Sequence, residues 1–255
     1  MKKKLTLLTI FVFLVITLPL CAFDAAEDDS SAGIDFDAGL LFSFNRAKVE
    51  LGADKTVSTL AYQYMALEID VEIFSGFTLG VIAGYNRNFF NDPVDFTQLP
   101  LTLRVEKMKN SSLLLGANLK AELFSFGDFT LIGKGEFLWF RQFNHESPIE
   151  LSVVTGNAVV ENAFYQATVD LLLKYDRWTG VEIFFGPELY LLDGEISADE
   201  TIEDIQARQT LEYKQDSLFG FVVGASFEIG SHVELFLSAG LFSKTSFCAG
   251  LFYIF

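Results

Sequence analysis

Met65-Ala66-Leu67-Glu68-Ile69-Asp70-Val71-Glu72-Ile73 decides how the rest of the chain is read. Its odd positions are all apolar, and three of its four even positions are carboxylates. Successive side chains of a β-strand point to opposite faces, so the stretch has one oily face and one ionic face. The same split recurs on both sides of it. Leu99, Leu101, Leu103 and Val105 alternate with Thr102, Arg104 and Glu106. Further runs alternate over 34–44, 77–86, 113–123, 129–140, 163–175, 180–192, 217–229, 232–242 and 246–255.

Alternation alone does not say which face meets which solvent, since a water-soluble sandwich alternates too. Three further features favour hydrocarbon around the apolar face. The polar face holds many glycines and scattered charge, the apolar face is almost unbroken, and most runs are as long as the ~9–11 residues a membrane-crossing strand needs. The chain therefore reads as an all-β protein, a transmembrane antiparallel up-and-down barrel. Its 255 residues, 51% hydrophobic, exclude a disordered chain or a disulfide-stapled miniprotein. A net charge of −16 makes nucleic acid an unsuitable partner, because phosphate binding needs a basic footprint.

The beginning of the chain has a separate logic. Lys2, Lys3 and Lys4 precede an apolar run from Leu5 to Leu18, and small or apolar residues follow up to Ala22. That is the order of a secretory signal peptide, so residues 1–22 are expected to be a leader, 23–33 a short polar segment and 34–255 the barrel. A lipidated Cys21 is the competing reading, disfavoured by Leu20 where such signals prefer a small residue. If Cys21 leaves with the leader, Cys248 stands alone and no disulfide or cysteine metal site forms within the chain.

Phe247-Cys248-Ala249-Gly250-Leu251-Phe252-Tyr253-Ile254-Phe255 ends on an aromatic preceded by alternate apolar residues, and Gln98-Leu99-Pro100-Leu101-Thr102-Leu103-Arg104 has a Pro-Leu-x-Leu-basic form. On these two segments the chain resembles bacterial outer-membrane β-barrel proteins. The resemblance implies the bacterial outer membrane as destination, its lipid as surroundings, and recognition of Tyr253 and Phe255 by the outer-membrane assembly machinery. Neither segment carries an activity.

Eleven runs are clear, and single-chain bacterial barrels have an even strand number. Residues 149–154 are the best candidate for another, giving twelve strands. The alternative is ten, with one run between 97 and 123 outside the membrane. Twelve strands place the connections Ser75-Gly76, Lys107–Ser112, Asp176–Thr179 and Gly230-Ser231 at the periplasmic rim. They place 45–59, 87–97 and 193–216 outside the cell, the last with room for a short helix through Ile202 and Ile205.

With the apolar parity outward, Glu68, Asp70, Glu72, Glu106, Glu122, Glu136, Asp170, Glu182 and Glu188 line the lumen, together with Arg104, Lys120, Lys134 and Lys174. Such an interior is either braced by ion pairs or hydrated. The expectation is a narrow porin-like channel for small hydrophilic or cationic solutes; the alternative is a non-conducting structural or surface-interaction barrel with acidic outer loops. Glu68, Asp70 and Glu72 have carboxylates roughly 7 Å apart at ~3.4 Å rise per residue, too far to share one small cation unaided, so no metal or cofactor is expected. The two histidines, His145 and His232, fall in a turn and at a strand start on the periplasmic side, with no nucleophile at a telling spacing. An enzyme is not expected.

Overall fold

The structure, a computed structural model, describes residues 36–105, 110–142, 145–150 and 155–255. The expected leader, the segment 23–33 and Glu106 lie outside the described residues. Fourteen strands follow in order: β1 Phe36–Leu51, β2 Thr56–Phe74, β3 Phe77–Phe90, β4 Val94–Phe96, β5 Leu103–Val105, β6 Asn110–Phe126 and β7 Phe129–Gln142. Next come β8 His145–Glu150, β9 Thr155–Trp178, β10 Val181–Ile202, β11 Ile205–Gln215, β12 Phe219–Glu228, β13 Val233–Leu241 and β14 Lys244–Ile254.

Ten of them close a ring, β1-β2-β3-β6-β7-β9-β10-β12-β13-β14, and β14 returns to β1 from Asp37↔Ile254 to Ala47↔Lys244. The tight turns at 75–76, 127–128, 179–180 and 230–232 gather at one rim together with Phe36 and Phe255. Gly76, Gly127, Gly180 and Gly230 each take a positive φ there, a backbone state costly for other residues. The opposite rim, here the cap rim, carries the longer excursions, including β4–β5 and β10–β11.

The apolar parity faces outward. Leu40, Met65, Leu67 and Val81 are 59%, 62%, 48% and 61% exposed, while Glu68 between its neighbours is 6% exposed. An aliphatic surface of this extent is unfavourable in water and suited to hydrocarbon. Aromatics edge it on both sides. Phe36 stacks on Phe255, Phe74 on Phe77, and Phe126 on Phe129 at the turn rim, with Tyr175 against Trp178. Tyr85, Trp139, Tyr165 and Phe219 are exposed nearer the cap rim. From Phe129 to Trp139 along β7, at ~3.3 Å per residue and ~40° of tilt, the band is roughly 25 Å tall, the height of a bilayer's apolar layer.

Several expectations need correction. Ten strands make the ring, the alternative count, within one hydrogen-bonded sheet of twelve. The run 98–106 alternates, but only Leu103–Val105 is strand, paired with Val94–Phe96 in a small hairpin at the cap rim. Its apolar face, Leu99 and Val105, packs on the barrel's internal core instead of lipid; a period of two cannot distinguish those two apolar destinations. Of the expected strand 149–154, residues 151–154 lie outside the described residues; Ile149 and Glu150 belong to β8, which pairs with Thr155–Val160 of β9, so His145 stands at the cap rim, not with His232. Ser112 likewise belongs to the cap rim, paired with Gln142. Ile202 and Ile205 close a hairpin, not a helix, with Glu203 at a φ of 51°.

If Leu67 faces the middle of the bilayer, Leu67→Arg should cost about 2–4 kcal/mol of folding free energy. The measurement is reversible urea unfolding of the chain refolded into lipid vesicles, and the expected result is a lower midpoint.

Candidate functional site

β11 changes the circumference of the barrel. On the cap side it fits between β10, from Asp193↔Lys214 to Ile202↔Ile205, and β1, from Val49↔Gln215 to Leu51↔Tyr213. β12, β13 and β14 stop beneath it. One strand thus replaces three, and the ring falls from ten strands to eight: β1, β2, β3, β6, β7, β9, β10 and β11. An eight-stranded ring encloses only enough space for its own inward side chains.

A buried apolar cluster fills much of it, with Asn86, Asn88, Asn162, Glu200, Gln209 and Gln215 buried alongside. Leu60, Leu114, Leu138, Phe140, Tyr190 and Leu192 are each 0% exposed. Phe140 stacks on Phe164 at 4.3 Å, and Tyr62 meets both rings edge-on at 5.6 and 5.5 Å. The β4–β5 hairpin lies over this plug through Val94, Phe96, Leu99 and Val105. It is pinned where the backbone N–H of Gln98 donates to Gln209 Oε1 at 2.8 Å and that of Leu101 to Glu200 Oε2 at 3.0 Å. Tyr213 donates to Asn162 Oδ1 at 2.7 Å; burial pushes its phenol well above the usual tyrosine range, so it remains a neutral donor.

Below the plug the ten-stranded part holds a cavity of about 210 Å³. Glu68, Asp70, Glu136, Asp170, Glu182, Glu188, Lys120, Lys134 and Lys174 all line it, joined by Asp37, Glu234 and Lys244. Eight carboxylates against four lysines leave a formal −4. Lys120 and Glu122 are exposed to solvent although their parity is inward, so the cavity is a well open at the turn rim. Its floor is the plug: Tyr62 donates to Gln166 Oε1 and lies 3.2 Å from the Tyr190 hydroxyl, while Gln166 Nε2 donates to Glu136 Oε1 at 3.3 Å.

Ion pairs brace the wall. Lys174 Nζ reaches Glu182 at 3.2 Å and Glu122 at 3.6 Å, and Lys134 reaches Glu136 at 4.0 Å. Asn118 Nδ2 donates to Glu68 and, at 3.2 Å, to Asp70. Glu72 lies apart, accepting from the Gly76 N–H at the β2–β3 turn. Arg104 is on the cap hairpin beside Asp95, exposed, and does not enter the lumen; its alternation was real but belonged to the hairpin.

Sequence reading missed Lys244, whose side chain is the least exposed of the lysines paired in the well among the described residues. Lys244 Nζ is 3.0 Å from Glu188 Oε2 with 7% and 3% of the two side chains exposed, and it lies 4.5 Å from the centre of the Tyr190 ring. Ser243 Oγ donates to Glu188 Oε1 at 2.8 Å. A Cβ at Gly220 would stand 2.3 Å from Ser243 Oγ and 2.8 Å from Glu188 Oε1, so glycine is what admits this cluster. The pair occupies the seam where β14 begins beneath β11. A lysine just outside an alternating run gives no sign of this in sequence. Glycines at 39 and 224 widen nothing: the rings of Phe252 and Phe184 occupy the space their Cβ atoms would take.

No protein-family model matches the chain, and no curated protein matches it. Among solved structures, the outer membrane protease OmpT from Escherichia coli is similar with a TM-score of 0.46 and 10% identity, over 89% of this chain and 99% of that one. The translocator domain of the autotransporter NalP from Neisseria meningitidis is similar at 0.43 and 12%, over 100% and 98%. An outer membrane channel from Pseudomonas putida F1 is similar at 0.39 and 11%, over 90% and 99%. Likenesses this distant bring no activity or ligand to this chain.

Lys244→Met should destabilise the barrel by about 3–5 kcal/mol, because it strands the buried Glu188 carboxylate. Adding Glu188→Leu should recover most of that loss, as removal of both charges leaves neither unpaired. Urea midpoints of the two variants check both statements.

Proposed function

We propose that this chain is a bacterial outer-membrane barrel that does not conduct solutes in the state seen here and acts through its cap-side surface. The observation that carries this reading is the plug, whose side chains, Leu60, Leu114, Leu138, Phe140 and Leu192 among them, are buried in contact across the eight-stranded ring above the well. Short turns at one rim and long excursions at the other match the periplasmic and external ends of such barrels, which puts β11 and the Asp193–Ile202 end of β10 outside the cell. There Asp193, Glu195, Glu203, Asp204, Glu212 and Asp216 are exposed. This acidic sheet is the face offered to partners.

A leader over residues 1–22 would deliver the chain, and Tyr253 and Phe255 at the end of β14 would present the terminal aromatics to the assembly machinery. Tyr253 meets Phe255 edge-on at 4.8 Å and Phe255 stacks on Phe36 at 4.4 Å, so this end is built into the finished wall. Catalysis is not part of the reading. His145 and His232 stand at opposite rims, and His232 Nδ1 is engaged with the Ile254 carbonyl at 3.2 Å.

A cation-selective channel is the second reading, favoured by the net negative well. Planar-bilayer recording of the refolded chain, with folding checked by heat-modifiable mobility, separates the two. A silent bilayer supports the closed barrel; steady cation-selective steps overturn it in favour of the channel.

A further inference from the structure

One carboxylate in the well has an oxygen that its wall leaves without a hydrogen bond. Asp170 is 8% exposed, lines the cavity, and its Oδ1 has no hydrogen-bond partner. Its cross-strand neighbours are Lys134 on β7 and Glu188 on β10. Both nearby lysines attract it, but each has another carboxylate within ion-pair distance: Lys244 is 3.0 Å from Glu188 and Lys134 is 4.0 Å from Glu136. A buried carboxylate oxygen without a donor is costly, and a ligand cation would remove that cost.

The side chains between Asp170 and the open rim say what else the ligand carries. The next inward positions toward the turn rim are apolar. Leu172, Ile132 and Phe184 form a buried cluster with Val222 and Phe236 against it, and Phe184 stacks on Phe236 at 5.4 Å. Lys134 Nζ already stands 5.9 Å from the centre of the Phe236 ring, so that ring meets an ammonium in the protein itself. Bare metal ions fit poorly: among the described residues no three acidic, histidine or cysteine side chains are grouped to hold one.

We propose that the well is a binding site for a small primary ammonium compound with an apolar body, which enters from the turn rim, sets its ammonium on Asp170 and lays its body on the Leu172–Phe236 shelf. The site is independent of whether the barrel conducts, since it lies below the plug. A cavity of about 210 Å³ limits the ligand to roughly the size of one substituted ring.

Benzylammonium chloride is a suitable probe, titrated into the isotope-labelled refolded chain in lipid nanodiscs and followed by amide chemical shifts. The expected result is saturable shifts at Asp170, Leu172, Val222 and Phe236, and none at lipid-facing Leu67 or Val81. Asp170→Asn should weaken binding at least tenfold. Val222→Trp, which fills the shelf and touches no charge, should do the same, so the proposal does not hang on one variant's folding. Equal binding of benzyl alcohol would overturn the role of the ammonium. Equal lumen shifts from sodium or magnesium chloride would overturn the role of the apolar body, and absence of saturable lumen shifts would overturn the site altogether.

Discussion

Backbone N–H and C=O groups find no partner in hydrocarbon, so a sheet that crosses it must close on itself. Everything distinctive about this barrel follows from how that closure is met at two different circumferences. Ten strands close it across the apolar band, and eight close it above, because β11 takes the place of β12, β13 and β14 between β10 and β1. The wider ring leaves room for a hydrated well, and the narrower one forces its inward side chains into contact. A single change in strand number therefore separates an open, charged compartment from a tightly packed one along the same lumen.

The chemistry of the inward positions follows this division strand by strand. On β2 the inward residues run from Leu60, Tyr62 and Tyr64 to Glu68 and Asp70, and on β9 from Phe164 to Asp170. The apolar members lie where the ring is narrow and the acidic ones where water can reach. At the boundary stand groups able to face both ways, such as Tyr62 with its ring in the plug and its hydroxyl on Gln166. Lys244 and Glu188 hold the seam at the same level, where a missing strand would otherwise leave inward polar groups without partners.

Much of this was legible in the residues. That Met65, Leu67 and Ile69 share one face could be read directly, since only a strand places every second side chain on one face; that this face is the outer one needed the run lengths and the glycine-rich polar face as well. The inward position of Glu68, Asp70 and Asp170 followed from it. The number of strands did not, because the run at 98–106 obeys the same period while facing the plug. β11 was hidden for the opposite reason. Its inward side chains include Gln209 and Gln215, so no apolar stripe marks it, and its charges suggested a solvated loop. Lys244 and Asn118 acquire their roles only from cross-strand neighbours far away in sequence, which no local pattern encodes.

The central claim is that one face of each strand meets lipid while the other passes from plug to well. A cysteine scan of β2 from Leu60 to Glu72, in a Cys248→Ser background with nitroxide labels in bilayers, tests it most directly. Labels at 65, 67, 69 and 71 should collide with dissolved oxygen; those at 62 and 64 should be shielded from both oxygen and a polar nickel complex; those at 70 and 72 should meet the nickel complex. Oxygen contact outweighing nickel contact at 70 and 72, or nickel reaching position 62, would contradict the account.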